Sequence, residues 1–265
     1  MVDRIVPAAT EDSLAEITRE LGVTDPCAIS CEPFIQWVVE DHFVAGRPAW
    51  EAAGVQMVSD VRPWEEMKLR MLNGSHSFLA YLGYLSGFQH INECMQDIAF
   101  REAAYRLMMD EQAPTLTITD VDLTGYAQSL IERFANPALK HKTWQIAMDG
   151  SQKLPQRMLA GIRLHLARET AWPLLALGVA GWMRYVSGVD DAGVTIDVRD
   201  PLNDKIRAIV TTHHEDQRVS ALLSLSEIFG NDLPHNPVFV QAIETAWQRI
   251  AQHGAHQAVI DTLKN

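Results

Sequence analysis

Residues 172–186, W-P-L-L-A-L-G-V-A-G-W-M-R-Y-V, are apolar on nearly every side. A helix without a polar face belongs in the middle of a core, with other elements packed all around it. The uninterrupted part, 172–182, is too short for a bilayer crossing, which takes roughly 20 residues. The flanking sequence supplies what such a core needs. Amphipathic helical periodicity is read at 99–111, 123–134, 139–146, 152–167, 204–212, 219–229 and 237–253. Asn136-Pro137, Asp149-Gly150-Ser151 and Asp191-Ala192-Gly193 mark turns between them.

The opening of the chain reads differently. Residues 2–8, 27–31 and 34–39 are strand-like. Between them 10–21 reads as a helix with Thr10 or Asp12 at its cap, an apolar stripe of Leu14, Ile17 and Leu21, and Gly22 at its end. Residues 55–61 alternate like a further strand. Strand–helix–strand is the pattern of an α/β sheet. The predicted fold is therefore mainly α: a helical domain over 63–265, preceded by a short α/β remnant over 1–62.

The chemistry is concentrated in residues 63–84, read as one amphipathic helix. Pro63 suits a first turn, and Glu65 and Glu66 suit a helix N-terminus. At roughly 100° per residue, Met67, Met71, Phe78, Leu82 and Leu85 form a core face. Glu65, Lys68, Leu72, Asn73 and His76 fall within an opposing arc of roughly 140°. Such a face is ordinarily just solvated and carries Lys and Glu pairs. This one carries Asn, His, Ser and Gly with a single Lys, which are poor helix formers. Farther on, Lys142, Lys153 and Arg157 flank the turn at 149–151, a suitable setting for an anion or a hydroxyl.

With 22 Lys and Arg against 34 Asp and Glu, the net charge is −12. That argues against nucleic acid or an anionic membrane surface as partner. The three cysteines, Cys27, Cys31 and Cys94, lack framework or zinc spacing. Cys27 and Cys31 are read as small buried residues, and the low, odd count as that of a protein in a reducing, cytoplasmic compartment. His213-His214 point roughly 100° apart on a helix and are read as a solvated turn. No metal site is expected.

Several longer motifs carry a family resemblance. V-D-R-I-V-P at 2–7 and K-L-R-M-L-N-G-S-H-S at 68–77 resemble the polyol-specific long-chain dehydrogenases, the mannitol dehydrogenase family. C-E-P-F-I-Q-W-V-V-E-D-H-F and H-K-T-W-Q-I-A-M-D-G-S-Q-K-L-P-Q-R are most similar to its fructuronate reductase (D-mannonate oxidoreductase) branch. The resemblance implies NAD as cofactor, no metal, and a helical C-terminal domain like that of 6-phosphogluconate dehydrogenase. It makes Lys68 the general acid/base, Asn73 a carbonyl-polarising group and His76 a partner of substrate hydroxyls. Lys153, with Lys142 and Arg157 nearby, would contact a sugar acid or polyol. Asp3 and Arg4 would lie toward the nicotinamide, and Glu65 at the mouth of a proton path.

The chain has no G-x-G-x-x-G loop, and its cofactor site is expected to be largely absent. It reads as part of a longer reading frame or as a truncation. Three functions follow: a fructuronate/mannonate oxidoreductase or its substrate-binding half, a mannitol- or altronate-type polyol dehydrogenase, and a non-catalytic chain that folds as a possible homodimer.

Overall fold

A computed structural model describes residues 1–264. Strand β1 (Val2–Asp3) pairs antiparallel with β2 (Gln36–Glu40), which pairs parallel with β3 (Gln56–Val58). Helix α1 (Glu11–Leu21) crosses between the first two, capped by Thr10 and closed by Gly22 at φ 70°. Its cap residues are those expected, but it buries no residue, and Leu21 is left exposed. The strand expected at 2–8 shortens to two residues, and 27–31 is irregular. Cys27 and Cys31, expected to be buried, are exposed, whereas Cys94 is buried. In this chain no second layer covers their loop, where Ile29 and Ile35 are exposed too.

The regular elements after β3 are helices. One continuous rod comprises α2 (Arg62–Met67), a wide π-helical stretch (Lys68–Gly74) and α3 (Ser75–Leu85). Next come α4 (Ile91–Gln96) and α5 (Ile98–Arg106), the latter running into a second π stretch (Leu107–Gln112). Helix α6 (Leu123–Phe134) has the bounds its periodicity predicts. Helices α7 (Thr143–Ala147) and α8 (Gly150–Leu154) lead to a third π stretch (Pro155–Leu159) and α9 (Ala160–Arg168). Helix α10 (Pro173–Val186) is the anticipated core helix. It buries every residue except Pro173 and Arg184, and packs on α3 and on the last helix, α14 (Pro237–Leu263). Helices α11 (Asn203–Thr212), α12 (Arg218–Leu223) and α13 (Ser226–Phe229) lie between α10 and α14 in sequence.

Three departures have physical causes. The helix expected at 139–146 begins only at Thr143. Upstream, the chain pairs with a distant segment: Ile91 N–H donates to His141 O and Thr143 N–H to Gln89 O. That tertiary pairing, with Lys140 at φ 46°, overrides the local period. The helix expected at 219–229 breaks at Ser224-Leu225. The helix expected to stop near residue 253 continues to Leu263 past a kink at Gly254 (φ 76°, ψ 164°), a conformation open to glycine alone.

The π stretches position the site. In the third, Pro155 stands where a helix needs an N–H, and its ring would strike the carbonyl four residues back. A wider turn relieves both, and Ala160 N–H reaches back five residues to Pro155 O. In the second, Ala113 N–H reaches Met108 O in the same way. The first packs against the other two. Their meeting point is Gly74, where a Cβ would lie 2.9 Å from Arg157 O and 2.9 Å from Gln112 Nε2. Gln112 Nε2 donates to Arg157 O at 2.8 Å.

Candidate active site

The rod places Lys68 at the start of its wide stretch, Asn73 near the end, and His76 in the first turn of α3. Its core face is as read: Met67, Met71, Phe78, Leu82 and Leu85 are all buried. The opposite face is not a solvent face. Leu72 is buried, and His76 is only 5% exposed. The His76 ring stacks on Phe134 at 4.3 Å and meets the His141 ring edge-on at 5.3 Å. A polar face covered in this way by α6 and the 135–142 loop is built for more than hydration.

Lys68 Nζ donates to the carbonyl of Val2 at 2.6 Å. Burial pulls its pKa down, Asp3 pulls it up, and the nearby Arg157 and Arg133 guanidinium groups pull it down again. The net direction is downward, toward a lysine able to release and accept a proton. Glu65, exposed one turn earlier, acts on the same amine. Asn73 uses its backbone carbonyl to accept from Arg157 Nη1 at 3.4 Å. Its carboxamide makes no hydrogen bond among the described residues.

Arg157 Nη1 also donates to Ser77 Oγ at 3.0 Å, while its Nε is buried without a partner. Lys153 Nζ donates to Met148 O at 2.5 Å and Ile146 O at 3.1 Å. Burial, with Arg157 beside it, brings Lys153 down to about 8. Burial holds His141 at about 4 and pushes His76 well below the ordinary range, so both imidazoles are neutral near pH 7. Three cations, Lys68, Lys153 and Arg157, thus share one neighbourhood, and none has a carboxylate bonded to it. Such a cluster favours an anionic or hydroxyl-rich ligand.

Lys142 does not join them. It is exposed and forms no side-chain hydrogen bond or ion pair among the described residues. Its backbone is held by a bridge to His90, and its neighbour His141 turns inward instead. Asp3 and Arg4 are engaged by protein groups. Asp3 is fully buried against Arg133 and Tyr126, and Arg4 Nε donates to Glu32 O at 2.9 Å.

Sequence reading missed Arg133, Glu32, Tyr126 and His141. The available signal was Arg133 in line with Tyr126 and Leu130 on the apolar stripe of α6, a cation on a core-facing side. The cavity lined by Ile5, His76, Arg133, Phe134 and His141 among others holds only about 10 Å³, room for about one water. A groove of about 1110 Å³ beside Trp172 and α14 contains none of these site residues.

The chain is thus a mainly helical body closed against the edge of a small, partly parallel α/β sheet. Residues 60–251 match the mannitol dehydrogenase C-terminal domain, and residues 1–52 match the mannitol dehydrogenase Rossmann domain. The chain belongs to the mannitol dehydrogenase family. It is 80% identical to the uncharacterized oxidoreductase YeiQ of Escherichia coli K12 over 264 residues, covering 100% of this chain and 54% of that protein. It is 59% identical to D-mannonate oxidoreductase of the same organism, covering 98% of this chain and 54% of that protein. It superposes with a TM-score of 0.94 on Pseudomonas fluorescens mannitol 2-dehydrogenase, solved as a ternary complex with NAD and D-mannitol. That match is 38% identical and covers 100% of this chain and 54% of that one. The chain spans about half the length of these relatives. Among the described residues, no helix is long and apolar enough to cross a membrane, and no group of three His, Cys, Asp or Glu side chains is placed to hold a metal ion.

Proposed function

We propose that this chain is the substrate-binding and proton-transferring part of an NAD-dependent oxidoreductase that interconverts D-fructuronate and D-mannonate. The division at 62/63 separates its α/β edge from its helical substrate domain, and a cytoplasmic setting belongs to the same reading. The observation that carries the proposal is the grouping of Lys68, Lys153 and Arg157 with no acid bonded to any of them, on a protein of net charge −12. A sugar-acid carboxylate supplies the missing counter-charge. The similarity to D-mannonate oxidoreductase supports this choice over a neutral polyol.

The residues present fit the nicotinamide end of the cofactor. Val2, whose carbonyl seats Lys68, leaves its apolar side chain about half exposed on the strand edge. No glycine-rich phosphate loop accompanies it. The hydride given to or taken from the carbinol carbon is the chemistry a nicotinamide bound there would supply. Lys68 Nζ accepts the hydroxyl proton during oxidation and returns it during reduction, passing it toward Glu65 and solvent. The Asn73 carboxamide donates to the carbonyl oxygen, where negative charge builds. The neutral His76 imidazole holds a substrate hydroxyl. Lys153 and Arg157 grip the carboxylate, while Asp3 and Arg4 shape the cofactor-facing edge.

The test is steady-state kinetics with D-mannonate and D-mannitol in a protein carrying a complete nucleotide-binding domain. Lys68→Ala is expected to lower kcat/KM on both substrates by about 10²- to 10⁴-fold, the usual worth of a general base. Lys153→Met is expected to lower it roughly 10- to 100-fold on D-mannonate, the cost of a lost charge-assisted bond, and little on D-mannitol. Equal losses on both substrates would instead favour a mannitol-type dehydrogenase.

A further inference from the structure

Arg133 lies on α6, far in sequence from Lys68, at the centre of a buried cluster. Its Nη2 donates to Asp3 Oδ1 at 2.7 Å and Glu32 Oε1 at 2.8 Å. Its Nε donates to Glu32 Oε2 at 2.9 Å and its Nη1 to Asp3 Oδ2 at 3.2 Å. Both acids are thus gripped by two donors each, the planar-fork geometry lysine cannot reproduce. Tyr126 OH adds a bond to Asp3 Oδ2 at 2.8 Å, and Ile5 N–H donates to Glu32 Oε1 at 2.6 Å. Phe34 lies under the guanidinium, 4.0 Å from ring centroid to Cζ. Asp3, Glu32 and Arg133 are all buried. Asp3 directly follows Val2, whose carbonyl receives the Lys68 amine.

Two acids around one arginine leave a net charge of −1 close to Lys68. Buried ion clusters are seldom the most stabilising filling for a core. A cluster this complete, joined through one residue to the seat of a half-buried amine, is better explained by what it does to that amine. We propose that Arg133 is a positioning residue for Lys68: by clamping Asp3 and Glu32 it fixes the Val2 carbonyl that seats the amine and neutralises the acid next to it. The inference deepens the proposed function and rests on Lys68 as the proton-transferring group. The charged groups acting on that amine are Asp3, Arg157, Arg133 and Glu65. Removing Arg133 takes away a cation and unmasks Asp3, and both changes hold the proton on Lys68 to higher pH.

Competitive acetylation of the 265-residue chain with trace acetic anhydride, read at the Lys68 peptide by mass spectrometry across pH, reports that amine without any turnover. Arg133→Gln changes the cluster charge from −1 to −2 and is expected to move the Lys68 midpoint up by about one pH unit. That is roughly the effect of a unit charge about 12 Å away at an effective dielectric near 20. Glu32→Gln changes it from −1 to 0, keeps an acceptor for Ile5 and Arg133, and is expected to move the midpoint down. Arg133→Lys, which keeps the charge but not the fork, is expected to restore most of the midpoint. Opposite shifts from the two glutamine variants are not produced by a merely structural cluster. An unmoved midpoint in a folded Arg133→Gln overturns the proposal. Should that variant not fold, an unmoved or raised midpoint in Glu32→Gln overturns it equally. If the midpoints move as expected while the pH profile of turnover in the longer protein stays fixed, the clamp stands and the catalytic assignment of Lys68 falls.

Discussion

At the scale of single residues, the site is governed by where charge is left unpaired. Lys153 titrates near 8 because burial and Arg157 disfavour its charged form, and the unfolded chain keeps that proton to 10.5. Between those values the unfolded state binds more protons, so this group's contribution to stability rises with pH. Ligand binding has the opposite sign, since a carboxylate needs the charged amine. The KM for D-mannonate is therefore expected to climb several-fold as pH passes about 8, while that for D-mannitol stays flat, as initial-rate measurements across pH would show. The shared helix of Lys68, Asn73 and His76 was legible in sequence, because one local period spans all three. Arg133 and His141 were not, because they come from α6 and the loop after it. No local pattern says that His141 packs edge-on to His76 while Lys142 beside it points away.

Among elements, the rod from Arg62 to Leu85 decides the geometry, and its wide middle depends on two partners. Gly74→Ala would press a methyl group against the Arg157 carbonyl and the Gln112 amide, each 2.9 Å away. Backbone cannot yield as a side chain can, so a loss of about 1–3 kcal/mol is expected in urea unfolding, together with reduced turnover as Lys68 and Asn73 shift. A second element depends on a single acid. Glu111 accepts the N–H groups of Leu174 and Leu175, each at 2.7 Å, and so caps the core helix α10 from outside its own sequence. Burial raises this carboxyl from 4.5 to about 7. The folded state therefore holds a proton that the unfolded state releases, and the resulting stabilisation is complete below 4.5 and lost as pH rises through 7. Unfolding free energy measured from pH 5 to pH 8 is expected to fall by up to about 3 kcal/mol through this group, and to fall less in Glu111→Gln. Periodicity located α6 and α10 closely because their stripes face a uniform core. It gave no sign of the π turns, whose extra width answers to Pro155 and to contacts distant in sequence.

For the molecule as a whole, α10 and α14 form the frame on which the rod is laid. Helix α14 keeps its contact through a turn at Gly254 that only glycine adopts without strain. Gly254→Ala is expected to cost about 1–3 kcal/mol, read as a lowered Tm by calorimetry, with the site's pH behaviour unchanged. The order of layers was readable from an all-apolar helix surrounded by amphipathic ones. The exposure of Cys27 and Cys31 was not, since a residue type reports a preference for burial and not whether anything arrives to cover it. The Val2 carbonyl is the one protein acceptor the Lys68 amine has among the described residues, and it belongs to the sheet while the amine belongs to the helices. How strongly that amine holds its proton is therefore set jointly by strand and helix, and a change in either reaches it.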